Sequence, residues 1–282
     1  MAAPGARVAV VTDSTAYLPP GVADELGVRS VPLRVSIDGR DALDPSSHDI
    51  VAALVGKQSV TTSRPTPAEF AQVFRECLDA GATRVVSIHL AAALSGTWES
   101  AVLAAQDFEH GVVRVVDSRS TAAALGFAVA ASAVLAREGA TAAQVQGAAT
   151  DTVDRTRTLF YVDTIEYLRR GGRIGKAASV FATSLSVKPL LQMVEGQIVA
   201  LEKVRTSSKA IARLVQLTIE SAGVGPVDVA VHHLVADERA AQVAAQLRSA
   251  LPRLGELYVA ELGPVIGAHL GPGAIGTVVV RR

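Results

Sequence analysis

Short β-branched runs that end in polar turns and then pass into helical stretches recur through the first half of the chain, and no other feature narrows the fold as much. Val8 to Val11 runs into Thr12-Asp13-Ser14-Thr15, Arg84 to Leu90 leads to Leu94-Ser95-Gly96-Thr97, and Val112 to Val116 leads to Asp117-Ser118. Strand, turn and helix in repetition call for right-handed crossovers, which lay parallel strands side by side with helices on both faces. The first half is therefore expected to form a three-layer α/β/α domain around a parallel sheet. Ligands of such sheets gather beyond the carboxyl ends of the strands, where all three polar turns fall.

The connecting segments carry their own signals. Pro19 and Pro20 are expected to open a helix that Gly27 closes near Leu26. Val31, Leu33, Val35 and Ile37 alternate, predicting one half-buried strand over 31–37. A turn at Asp38-Gly39 and a helix over about 48–55 follow, and Thr61 to Pro67 reads as a loop before a helix over about 68–80. After a helix over about 142–152 the pattern changes. Val187 to Val194 and Gln197 to Val204 flank Glu195-Gly196 as a hairpin, with strands and helices of mixed order around it. This predicts a second α/β domain with a mixed sheet, dividing the chain into 1–155 and 156–282.

Composition removes several function classes. With 49% hydrophobic and 19% charged residues, the chain of 282 can bury a real core. Lys plus Arg number 27 and Asp plus Glu 27, so no global basic field exists to hold nucleic acid. Cys77 is the only cysteine, which leaves no intrachain disulfide and no cysteine-based zinc site. The histidines show no metal-ligand spacing, and no metal or cofactor is expected. Met1 to Arg7 lacks the features of a signal peptide, and the Ala-rich Ser120 to Ala136 is short for a bilayer. The expected location is cytoplasmic, without membrane insertion, and the expected state is monomeric.

Each polar motif has two readings. Asp13-Ser14 and Asp117-Ser118 either cap helices and form turns or support a binding site. Thr61-Thr62-Ser63 either binds a carboxylate or caps the following helix. In Leu94-Ser95-Gly96-Thr97 the glycine permits close approach and the helix start attracts an anion, although an N-cap explains it equally. His269 lies among Gly267, Gly271, Pro272 and Gly273, a constrained setting for a ligand or a seam between domains. Arg169-Arg170-Gly171-Gly172-Arg173 either cradles an acidic group or ends a solvated helix. No Gly-x-x-x-x-Gly-Lys-Ser/Thr loop and no dinucleotide-binding glycine fingerprint occurs, so ATP and NAD lack sequence support.

Taken in order, Val11-Thr12-Asp13-Ser14-Thr15, Thr62-Ser63, Leu94-Ser95-Gly96-Thr97, Val116-Asp117-Ser118, Tyr167 to Ile174, Val204-Arg205-Thr206 and Ile266 to Gly273 resemble the DegV family of fatty-acid-binding proteins. Its members include the acyl-carrier subunits of bacterial fatty acid kinase. The chain departs from the family pattern at Arg64, where Gln is usual, at Leu270, where a small polar residue is usual, and after Asp117-Ser118, where alanine replaces glycine.

The resemblance implies a two-domain DegV-like fold and a long-chain fatty acid as ligand. Its carboxylate would be held by Thr62, Ser63, Ser95 and His269, with the Gly96 N–H as a further donor, and its tail would lie in an apolar tunnel of the first domain. Each buried methylene contributes about 0.8 kcal/mol, so the tail drives binding and the hydrogen bonds orient it. The resemblance further implies no catalysis by this chain. The lipid would instead be presented to a separate ATP-using kinase that docks on Arg205, with Arg170 and Arg173 on the same surface. Two competing readings are weaker. A serine acyl hydrolase would use Ser95 as nucleophile, His269 as base and Asp13 or Asp117 as orienter, but the nucleophile elbow is missing. A DNA-binding module lacks a recognition helix.

Overall fold

The computed structural model describes residues 7–19, 21–42, 44–175 and 187–282. Pro20, read as a helix opener, lies outside them. The chain divides into two compact units, one made of Met1–Leu33 with Arg64–Asp154 and the other of Arg34–Ser63 with Arg155–Arg282. The contiguous division 1–155 and 156–282 is therefore replaced by a discontinuous one, in which residues 34–63 join the second unit.

The first unit holds a four-stranded parallel sheet in the order β2-β1-β6-β7, from β1 (Val8–Asp13), β2 (Arg29–Val31), β6 (Arg84–His89) and β7 (Val113–Asp117). Strand alternation sends Val11, Val31 and Val85 to one face, against Phe70, Phe74, Ala101 and Ala104 of α3 (Pro67–Asp79) and α4 (Thr97–Ala105). Val10, Val86 and Ile88 go to the other face, against Leu125, Val129 and Val145 of α5 (Ala122–Arg137) and α6 (Ala142–Asp154). This is the three-layer α/β/α arrangement that the sequence predicts. Two capping devices fix where α3 starts: Thr66 and Glu69 form a capping box, and Pro67 occupies the first turn. The short α1 (Val22–Leu26) ends at Gly27, whose φ of 66° is left-handed.

The second unit contains a six-stranded mixed sheet in the order β10-β9-β8-β13-β11-β12. Its strands are β8 (Thr156–Tyr161), β9 (Lys188–Val194), β10 (Gln197–Val204), β11 (Val227–His233), β12 (Leu254–Glu261) and β13 (Ile275–Arg281), and only β11 and β12 pair in parallel. The helices α8 (Ser207–Ala222) and α9 (Asp237–Ala250) pack Leu214, Val215, Val243 and Leu247 against Leu190, Val229, Val231 and Ile275 of this sheet. The Glu195-Gly196 hairpin forms as expected. Both residues have positive φ, 47° and 75°, the twist a two-residue hairpin requires.

Residues 34–63 add a small antiparallel sheet in the order β4-β3-β5, from β3 (Arg34–Ile37), β4 (Arg40–Asp41) and β5 (Val60–Ser63), and the helix α2 (Ser47–Val55). Two expectations change here. The alternating run 31–37 is not one strand: β2 stops at Val31, β3 spans Arg34–Ile37, and the two belong to different sheets. Pro32 cannot donate to a ladder, and the Ser14 hydroxyl takes the Leu33 N–H instead at 3.0 Å. Thr61-Thr62-Ser63 is not a loop but most of β5 (Val60–Ser63), with Thr62 opposite Val35. Among the described residues no helix is long and apolar enough to cross a membrane.

Candidate functional site

At the carboxyl ends of the parallel strands most polar residues are occupied by the fold itself. Asp13 is fully buried and accepts from the Thr15 N–H at 3.0 Å, the Thr15 hydroxyl at 2.6 Å and the Leu90 N–H at 2.9 Å. His89 Nδ1 lies 3.1 Å from the same carboxylate, and His89 Nε2 lies 2.6 Å from the Ser87 hydroxyl. All these side chains are shut off from solvent. The Ser87–His89–Asp13 chain has the order of a catalytic relay but no face open to a substrate, so it serves to lock β1 to the β6–α4 turn. Sequence reasoning missed it, since His89 carries no spacing signal toward Asp13. Asp117 accepts from the Arg119 N–H at 2.8 Å and the Ala92 N–H at 3.2 Å. For both Asp13-Ser14 and Asp117-Ser118 the structure thus bears out the turn-forming reading.

The turn before α4 differs. Ser95 is half-buried; its hydroxyl lies 2.8 Å from the Thr97 hydroxyl and accepts the Thr97 N–H at 3.3 Å. Gly96 occupies the N-cap position with φ −70° and ψ 12°, a conformation open to any residue. A Cβ there would fall 1.8 Å from Arg64 Nη1, so the guanidinium occupies the space beside this turn. No described residue accepts the Gly96 N–H, which precedes a nine-residue helix whose positive end favours an anion. Trp98 Nε1 in the first turn of α4 and Thr121 Oγ1 before α5 are also buried without a partner among the described residues.

In the second unit β5 and the short helix α10 (Pro264–Leu270) bring Thr62 and His269 together, with Thr62 Oγ1 2.9 Å from His269 Nε2. Ser63, exposed at the end of β5, makes no side-chain hydrogen bond with a described residue. Two glycines seat this corner. A Cβ on Gly171 would lie 2.2 Å from His269 Nδ1, and one on Gly271 would lie 2.1 Å from the Tyr167 ring. Gly171 of the Arg170-Gly171-Gly172-Arg173 segment therefore seats His269 directly. It follows α7 (Glu166–Arg170).

Burial, with the Arg173 charge adding to it, lowers the His269 pKa to about 4. The ring is neutral at pH 7 and brings no charge to a ligand. Its buried Nδ1 has no partner among the described residues, so none of their carboxylates orients it. Among the described residues His269 therefore bonds Thr62 alone, while Asp13 is committed to His89 and Asp117 to two backbone amides.

The arginines separate into two groups. Arg170 and Arg169 share Glu166 at 3.0 and 2.8 Å, and Arg173 Nη1 donates to the Gly171 carbonyl at 2.6 Å. Arg205 is exposed and makes no ion pair with a described residue. No group of three or more His, Cys, Asp or Glu among the described residues could hold a metal ion.

The chain matches the DegV model, described as a family of uncharacterised proteins, over residues 7–282. A DegV domain-containing protein of Streptomyces coelicolor is 49% identical over 279 residues, covering 98% of this chain and 99% of its own. Among solved structures, a DegV family protein of Thermus thermophilus, described by its fatty acid binding, superposes with a TM-score of 0.92 at 33% identity, covering 98% of this chain and 100% of that one. DegV of Bacillus subtilis, described as a fatty acid binding protein, gives a TM-score of 0.88 at 31% identity over 98% and 99% of the two chains. With a family match over nearly its whole length and close relatives of equal extent, this chain belongs to the DegV family.

Proposed function

We propose that this protein binds a long-chain fatty acid and presents it to a separate ATP-using kinase, without catalysing a reaction itself. The observation that carries the reading is the likeness, over nearly the whole chain, to two solved relatives described as binding fatty acids. In this reading Ser95 and the Gly96 N–H of the first unit, and Thr62, Ser63 and His269 of the second, supply donors to the carboxylate. The local chemistry supports it. With its proton on Nε2, His269 donates to Thr62 Oγ1 and leaves the Thr62 hydroxyl hydrogen free to donate onward. Several neutral donors can satisfy a carboxylate without a full salt bridge.

The tail supplies most of the affinity, at about 0.8 kcal/mol per buried methylene. Helix α5 suits an acyl chain because its buried positions are mostly small: Ala122, Ala123, Ala124, Gly126, Ala128 and Ala133. Arg205 is the docking residue for the kinase in this reading, since it is exposed and alone of the three expected arginines makes no ion pair or hydrogen bond with a described residue; Arg170 and Arg173 are supporting candidates.

Thr62→Val, Ser95→Ala and His269→Gln test the head-group assignment. Each is expected to raise the Kd for hexadecanoate about three- to tenfold, the loss of one oriented hydrogen bond. Wild-type affinity in all three variants would overturn the assignment.

A further inference from the structure

We propose that Arg64 is the cation of the head-group site, and that its guanidinium turns from Glu99 to the carboxylate of the bound fatty acid. The inference rests on the fatty-acid reading above and names the group that supplies the charge. Arg64 lies directly on the turn that carries Ser95. A Cβ at Gly96 would meet three of its atoms, Nη1 at 1.8 Å, Cζ at 2.8 Å and Cδ at 2.9 Å. A side chain at Gly96 would compete with the guanidinium for the space beside this turn, where Nη1 reaches the Gly96 carbonyl.

The arginine is held there loosely. Nη1 donates to the Gly96 carbonyl at 3.4 Å and to Glu99 Oε2 at 3.2 Å, both long, and neither Nε nor Nη2 makes a hydrogen bond with a described residue. The Arg64 and Glu99 side chains are 53% and 65% exposed, so their ion pair is screened and contributes little. A guanidinium has five N–H donors in a planar fork that matches a carboxylate, and most of these remain unspent. The other polar groups of the reading, on Thr62, Ser63, Ser95 and neutral His269, carry no positive charge. A carboxylate arriving at Ser95 and Gly96 therefore finds one cation within the same turn, whose existing partner is weak. Two properties follow. The protein should discriminate an ionised acid from an uncharged chain of equal length, and that discrimination should fade with salt.

The test uses the full chain and its single tryptophan, Trp98, two residues beyond Gly96, as a fluorescence reporter. Hexadecanoate and hexadecan-1-ol are titrated at low and high salt into the wild type, Arg64→Gln, Arg64→Lys and Glu99→Gln, with calorimetric titration as a check. Arg64→Gln should raise the Kd for hexadecanoate about five- to tenfold and leave that for hexadecan-1-ol unchanged. Arg64→Lys should recover part of the loss, and Glu99→Gln should bind hexadecanoate about twofold more tightly because the competing anion is gone. An Arg64→Gln variant that binds both ligands as the wild type does, or loses both equally, would overturn the inference while leaving the fatty-acid reading intact. A wild type that binds neither ligand would overturn both.

Discussion

Two adjacent glycines, Gly171 and Gly172, should respond to the same substitution in different ways, because they are glycine for different physical reasons. Gly171 has an ordinary helical backbone, with φ −72° and ψ −9°, but a Cβ there would sit 2.2 Å from His269 Nδ1 and 2.9 Å from Cε1. Ordinary contact requires the ring to retreat by about 1 Å. A shift of that size disrupts the 2.9 Å hydrogen bond between His269 Nε2 and Thr62 Oγ1. Overpacking costs about 1–3 kcal/mol and the lost hydrogen bond about 1 kcal/mol, so Gly171→Ala should destabilise the fold by about 2–4 kcal/mol. The same movement takes the Thr62–His269 pair out of register for a carboxylate, raising the Kd for hexadecanoate about tenfold. Gly172 has a φ of +70° and nothing within 4 Å of its would-be Cβ. Gly172→Ala therefore costs only the left-handed strain, about 1–2 kcal/mol, and leaves binding unchanged. Urea unfolding and hexadecanoate titration of both variants decide the matter. Normal binding by Gly171→Ala, or a binding defect confined to Gly172→Ala, would refute the account of this corner.

Other consequences can be checked with equally simple means. Burial holds the pKa of His232 at about 4, whereas the unfolded ring protonates near 6.5. Between those values the unfolded chain binds more protons, so stability falls as the pH drops from about 6.5 towards 4 and levels off below. His232 alone accounts for about 3 kcal/mol of this, His269 acts in the same direction, and denaturant midpoints across pH 4–7 would show it; a flat profile would contradict the burial. Asp13→Ala leaves the Leu90 and Thr15 amides and His89 without their buried acceptor and should cost about 3–5 kcal/mol, read by urea unfolding, with a double-mutant cycle against His89→Ala giving strong coupling. Arg205→Glu should leave the unfolding midpoint within about 0.5 kcal/mol of wild type yet block phosphorylation of the carried fatty acid by a partner kinase; full turnover in that variant would remove Arg205 from the docking surface.

The local signals in the sequence are the ones the structure follows. Thr66-Pro67 and Glu69 start α3, Glu195-Gly196 turns a hairpin, and Val10 and Val11 point to opposite layers of a parallel sheet, each decided by neighbours a few residues away. What could not be read depends on partners far along the chain. Val31 to Ile37 alternates as one strand would, but which sheet each half joins depends on β1 and β5, and only Pro32 hints at the break. Thr61-Thr62-Ser63 is polar enough to read as a loop, yet it is a strand because β3 offers it a ladder. The Asp13–His89 contact spans 76 residues and the Arg64–Gly96 contact 32, and no periodicity encodes either. For the candidate site, the residue types at Thr62, Ser95 and His269 were legible. The neutrality of His269 was not, because it follows from burial and from Arg173.

The central claim is that this chain carries a fatty acid, and its most direct test is the mass of the folded protein. Native mass spectrometry before and after delipidation, and again after incubation with hexadecanoate, reads the ligand without relying on any assigned residue. The account predicts a one-to-one complex that is lost on delipidation and restored by the added acid, with a long-chain fatty acid in the organic extract. A protein that is empty as purified and stays empty with excess hexadecanoate would contradict it.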